Sequence, residues 1–329
     1  MITNRFDCTV IGDIFIDIIA RLNGNYEQIF RGGTSYCNLT KAVLGGSGNV
    51  AIGLSTIGGT SAFVGKAGHD FFGRLYAKNL EEKGVTTKIF WDKHFPTGSI
   101  VVLVENGEQR SFLVFRGAND KLSPSEIKKT TNLIRRSSYI YISGYSLVND
   151  PQRNAILEAV DLAKKCKTKI VFDPGAFNLA KSEGKLFSRL SGLCDVFSAN
   201  LDEARAITNA NSMNDIIEAL KERIPLTALK CDQNGCVLVT REVVLRVPSY
   251  TVRCVDPTGA GDAFTAGMIY GLSQGLPLKT VAELANWFAA QVVTDIGPRS
   301  FPAKSKIQRF LKGLQIQITP KDRRRTRAF

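Results

Sequence analysis

Apolar runs of strand length alternate along the chain with segments whose apolar residues recur at helical spacing. Residues 8–11, 62–64, 139–142, 170–172, 195–198 and 226–229 read as strands, and 48–56, 71–83 and 151–164 as the helices between them. Repeated βα units of this kind predict an α/β fold around a mostly parallel sheet. Two stretches break the rhythm. Residues 99–104 and 110–115 are β-rich and flank Asn106-Gly107, a pair suited to the positive φ angles of a tight hairpin. Residues 17–44 are also non-helical. Together these insertions, at 14–44 and 86–116, are expected to pair into a small sheet lying over the open end of the main one as a lid. At least two of Phe15, Tyr36, Phe112 and Phe115 are expected to form the lid's own small core. From Gly259 the pattern turns helical, over 260–272, 278–293 and 304–311. No repeat or interdomain linker appears, so residues 1–315 read as one domain and 316–329 as a basic tail expected to be disordered.

A chain of 329 residues with 44% hydrophobic content can bury a substantial core. No run of eighteen apolar residues occurs and the first residues lead into a strand, not a secretory h-region, so a soluble cytoplasmic protein without a membrane partner is expected. The seven cysteines never form C-x-x-C pairs, and His69 and His94 have no metal-ligand partner at helical spacing. The formal charge is +13, of which the last nine residues supply +4; without interleaved aromatics this tail reads as solvated, and no nucleic-acid partner is expected.

The chemistry concentrates in Val255-Asp256-Pro257-Thr258-Gly259-Ala260-Gly261-Asp262-Ala263-Phe264, a proline turn, two glycines and two carboxylates directly before a helix. Glycines let backbone N–H groups approach an anion, and the helix start adds partial positive charge. Asp262 in the first turn can take the proton of a hydroxyl attacking a phosphate, and the helix start is expected to keep it ionised. Capping of the helix by an aspartate explains the same residue. Taken alone, the segment leaves both readings open.

The decapeptide resembles the C-terminal signature of the ribokinase-like (PfkB) carbohydrate kinases, with core D-T-x-G-A-G-D; Pro257 stands where threonine is frequent. The resemblance covers nearly the whole chain. Gly12-Asp13-Ile14-Phe15-Ile16-Asp17 is similar to the family's first strand, Gly45-Gly46-Ser47-Gly48-Asn49-Val50-Ala51 to its N-terminal signature, Gly65 to Gly73 to the segment after it, Phe115-Arg116-Gly117-Ala118-Asn119 to the return from the lid, and Asn200-Leu201-Asp202-Glu203 to its N-x-x-E motif. It implies a three-layer α/β/α sandwich with a small β lid. It further implies Asp262 as base, an anion hole at Gly259, Ala260 and Gly261, and acceptor contacts from Asp17, Gly45, Gly46, Asn49 and Asn119. Asn200, Glu203, Lys230, Gly235 and Thr258 would serve ATP, with Glu203 reaching Mg²⁺ through water. Leu44 occupies the first glycine slot of the N-terminal signature, and Lys230 and Asp232 replace threonine and glycine of the nucleotide segment. Arg116 is open between contacting an anionic group and lying on the surface. Homodimerisation through the lid is a further implication.

Rival patterns are weaker. Gly46-Ser47-Gly48-Asn49-Val50-Ala51 fits G-x-G-x-x-A but lies over thirty residues from the first strand, whereas a dinucleotide fingerprint follows that strand directly. Gly65-Lys66 has no P-loop around it. The expected function is therefore an ATP-dependent kinase acting on a hydroxyl of a sugar or sugar derivative. A nucleoside kinase of the same family, or a non-catalytic binding protein on the same fold, are the alternatives.

Overall fold

Successive side chains of a strand point to opposite faces, so a strand covered on both sides must be apolar at every position. In β1 (Phe6–Ile11), Val10 enters one core and Ile11 the other; Tyr141 and Ile142 divide in the same way. The computed structural model describes residues 6–23, 34, 36–105 and 110–317. Its main sheet runs β13 (Val244–Val247), β12 (Cys236–Val239), β11 (Leu226–Lys230), β10 (Val196–Asn200), β9 (Lys169–Asp173), β8 (Ser137–Ser143), β1, β4 (Ser61–Gly68), β5 (Thr86–Asp92). Pairing is parallel from β11 to β5 and antiparallel only at β12 and β13. Helices Gly48–Ile57, Ala260–Ser273, Leu278–Val292 and Lys304–Gln317 cover one face. Helices including Gln152–Cys166, Leu201–Thr208 and Met213–Lys221 cover the other, completing three layers.

A second sheet has the order β3 (Cys37–Gly46), β2 (Ile14–Leu22), β6 (Gly98–Val104), β7 (Arg110–Phe115). This is the expected lid with two corrections. Residues 86–92 do not belong to it, because Thr86–Asp92 pairs with β4 as the edge of the main sheet, so the second lid segment begins at Gly98. The aromatic lid core also fails. Phe15 is buried, but Tyr36, Phe112 and Phe115 are 76%, 58% and 49% exposed; Phe112 and Phe115 stand on the edge strand β7, which is exposed at every position and so on both faces. The Asn106-Gly107 turn lies outside the described residues. The last helix extends to Gln317, past the expected start of the tail, and 318–329 lie outside the described residues.

The join between sheet and lid is held by a residue assigned to the acceptor on sequence grounds. Asn119 is fully buried; its Oδ1 accepts from Ile14 N at 2.8 Å, and its Nδ2 donates to Ile14 O at 2.8 Å and Arg116 O at 3.0 Å. Both hydrogens of its amide and one lone pair of its oxygen are thus taken by backbone, which makes Asn119 a brace of the join. Arg116 is likewise neither surface nor free: its guanidinium pairs with Asp13 and Asp120. Replacing Asn119 by leucine strands the Ile14 N–H and C=O and should cost about 2–4 kcal/mol, measured by chemical denaturation. Unchanged stability with a raised acceptor KM would restore Asn119 to the acceptor.

Candidate active site

In a parallel sheet the carboxyl ends of all strands share one edge, and ligand sites lie outside that edge. Here the edge carries Asp173 at the end of β9, Asn200 at the end of β10 and Lys230 at the end of β11. Asn200 and Lys230 are paired in register. Lys230 Nζ lies 2.7 Å from Asp173 Oδ2. Burial alone would push the ammonium's pKa down, but Asp173 and then Glu203 outweigh it and raise it.

Asn200 and Glu203 form a reciprocal cap on helix Leu201–Thr208: Asn200 Oδ1 accepts from Glu203 N at 2.8 Å, and Glu203 Oε2 accepts from Asn200 N at 2.9 Å. This capping role is present whatever else the pair does. The Glu203 carboxyl is nonetheless held well above its ordinary range, first by burial and then by the charge of Asp173.

The glycine-rich segment enters this cleft from above. Gly259 has φ +84°, and a Cβ there would meet Pro298 O at 2.5 Å, so only glycine fits. Helix Ala260–Ser273 starts at this point, and among the described residues no acceptor meets the N–H groups of Gly261 or Asp262. Lys230 Nζ stands 3.7 Å from where a Cβ of Gly261 would be, so the ammonium faces the same amides. Thr258 is turned to Asp256, with its N–H at 3.0 Å and its Oγ1 at 2.6 Å from Asp256 Oδ1. Gly235 sits further along the edge, in the turn between β11 and β12, where Cys231 N donates to its carbonyl. Asp232 beside it adopts φ +50°, a left-handed conformation that aspartate tolerates better than most residues.

Asp262 accepts from Asn49 Nδ2 at 2.9 Å. Its pKa is not kept low by the helix start. Burial raises it to about 6, partly offset by the Asn49 hydrogen bond, with Asp173 pushing up and Lys230 and Arg299 pulling down. Asp17 reaches the same cleft from β2 and is also raised to about 6, by burial against the pull of Arg299 and with help from Asp262. Its Oδ1 is buried without a partner. Gly45, one strand over, leaves room for it: a Cβ there would lie 2.3 Å from Asp17 Oδ2. Gly46 ends the strand, and the following Ser47 N–H bonds Asp13 O at 3.0 Å.

Two groups escaped the sequence reading. Asp173 is a carboxylate closing a core strand before Pro174-Gly175, a signal that the strand-end rule could have flagged. Arg299 has no local signal; it arrives from a loop 250 positions beyond Asn49, donating Nε to Asn49 Oδ1 at 2.8 Å and Nη1 to Asn79 Oδ1 at 2.6 Å. With Lys41 and Asn79 it lines a cavity of about 270 Å³ beside β3.

The raised carboxyls set a pH dependence. Because folded Asp17 binds its proton more tightly than the ordinary value near 3.8, the folded state holds more protons than the unfolded chain between about pH 4 and 6, and stability falls as pH rises through that window. Asp17→Asn should therefore stabilise the protein at pH 7 by on the order of 1–2 kcal/mol, and the gain should fade towards pH 4. Thermal unfolding of both proteins from pH 4 to 8 measures it; a gain independent of pH would contradict the cause.

Comparison with known proteins follows this geometry. A model of the pfkB family of carbohydrate kinases matches residues 5–305. "Probable fructokinase-7" of Arabidopsis thaliana is 31% identical over 290 residues, 82% of this chain and 84% of that protein. Among solved structures, an adenosine kinase from Sinorhizobium meliloti superposes with TM-score 0.85 at 25% identity over 93% of this chain and 99% of that one. An uncharacterized sugar kinase from Pyrococcus horikoshii in complex with ATP gives 0.77 at 26% identity over 91% and 96%. With its sheet, lid and glycine-rich loop all inside the matched span, the chain belongs to the pfkB family of carbohydrate kinases.

Proposed function

We propose that the protein transfers the γ-phosphoryl group of ATP to a hydroxyl of a sugar or nucleoside, with Asp262 as the base. One observation carries this reading: the Asp262 carboxylate sits in the first turn of a helix where, among the described residues, the N–H groups of Gly261 and Asp262 lack acceptors, with the Lys230 ammonium near Gly261. Phosphoryl transfer needs positioning and charge neutralisation more than covalent chemistry, and amides, a cation and one base supply both. Asp262 would take the hydroxyl proton as the oxygen attacks, while Asn49 and Asp17 hold the acceptor and the lid keeps water out.

The donor set suits Mg²⁺. Glu203 and Asp173 offer hard oxygens in a pocket where burial and the Asp173 charge raise the cost of charging Glu203, and a divalent ion held through water would relieve that cost. When bound, Mg²⁺ neutralises phosphate charge. Thr258 and Gly235 border the ATP side of the cleft. The lid's edge strand β7, with Phe112, Leu113 and Val114 exposed on its two faces, favours a homodimer formed through the lid.

Asp262→Asn should lower kcat by about a thousandfold or more while ATP binding by calorimetry stays within a few-fold; near-normal turnover with a panel of sugars and nucleosides, read by ADP release, would sink the assignment. In the active protein kcat/KM should rise tenfold per pH unit up to about 6, as the base loses its proton, and level above it. Sedimentation of the wild-type chain and of Leu113→Lys tests the dimer, which the charge should disperse.

A further inference from the structure

Asp256 is the junction of three segments. Its Oδ1 accepts from Thr258 N and Thr258 Oγ1 in the anion loop and from Arg110 Nη2 of the lid at 3.0 Å; its Oδ2 accepts from Gly297 N at 3.0 Å. Arg110 Nη1 also donates to Thr258 Oγ1. The guanidinium thus grips both ends of the Asp256–Thr258 turn immediately before Gly259. From Gly297 the chain continues through Pro298, whose carbonyl abuts Gly259, to Arg299, which holds Asn49 and through it Asp262. Among the described residues, the hydrogen bonds of Arg110 are the only polar side-chain link between β7 and the body of the protein, and every residue of β7 is exposed.

We propose that Arg110 is a positioning residue that couples closure of the lid to the shape of the anion loop. The inference rests on the kinase reading for its consequence, and on the Asp256 junction for its geometry. An ordinary surface ion pair contributes little because water competes for both partners. This pair differs in that the Asp256 side chain is only 10% exposed and already organises two other segments, so the lid meets a fixed carboxylate. Arg110 is the partly exposed member, at 31%, and can leave when the lid lifts. Opening would free one corner of the Asp256–Thr258 turn; closure would return the fork to both Asp256 and Thr258, a geometry that a lysine cannot reproduce. The anion loop would then be fully shaped only when the acceptor is enclosed, which discourages transfer of the phosphoryl group to water.

The test uses the full-length protein. In Arg110→Ala, amide exchange at residues 258–262 should quicken by about fivefold or more, with the strands of the main sheet unchanged. Acceptor-dependent kcat should fall about tenfold while ADP release without acceptor falls less, so the ratio of the two drops; Arg110→Lys should recover only part of it. In an Asp256→Asn background, the further change to alanine should add little, since the partner is already lost. Exchange at 258–262 and the coupling ratio both unaltered in Arg110→Ala would overturn the proposal. If the wild-type chain phosphorylates no acceptor in the panel, the kinase reading falls, and the exchange measurement alone decides whether the lid shapes the loop.

Discussion

The cleft is organised around the ion pair of Lys230 with Asp173. Three carboxyl groups, Asp173, Glu203 and Asp262, are drawn towards one strand edge, and the charge of Asp173 raises the energy of charging the other two. A single ammonium, 2.7 Å from Asp173 and close to Gly261 in the glycine-rich turn, keeps that arrangement tenable. Burial leaves the compensation incomplete, which is why Asp262 and Glu203 stay raised.

Around that centre the structure uses close approach where the sequence shows small residues. Gly45 makes room for the Asp17 carboxylate, and Gly259 lets the anion loop lie against Pro298. Asn119 fastens the start of β2 to the body with two opposed hydrogen bonds, so that Asp17 projects from a strand whose first residue is held. Asn49 then links Asp262 and Arg299: its Nδ2 donates to Asp262 and its Oδ1 accepts from Arg299. A residue that looks like a simple polar contact in the sequence is thus the hinge between two charged groups. The cost is visible as strain on stability, since Asp17 Oδ1 and Arg299 Nη2 are both buried without partners.

Much of this was legible in the chain. The βα rhythm placed β1, β4 and β8 to β11 of the main sheet, the hairpin pattern placed β6 and β7, and the glycine-rich run placed the start of helix Ala260–Ser273, because local periodicity and backbone freedom depend on nearby residues. Strand 86–92 was misassigned for the opposite reason: its half-exposed pattern suits a lid or a sheet edge equally, and only pairing with β4 distinguishes them.

The sequence by itself determined the fold class and the glycine-rich start of helix Ala260–Ser273, and it singled out Asp17, Asn49 and Asp262, since these rest on local pattern and on motif resemblance. Tertiary structure alone decided that Asn119 braces the lid, that Asn200 and Glu203 cap a helix, that Asp173, Arg110 and Arg299 join the site, and that Asp262 is raised and not lowered. Those outcomes depend on burial and on charges brought together from positions far apart in the chain, and neither quantity exists until the strands have packed.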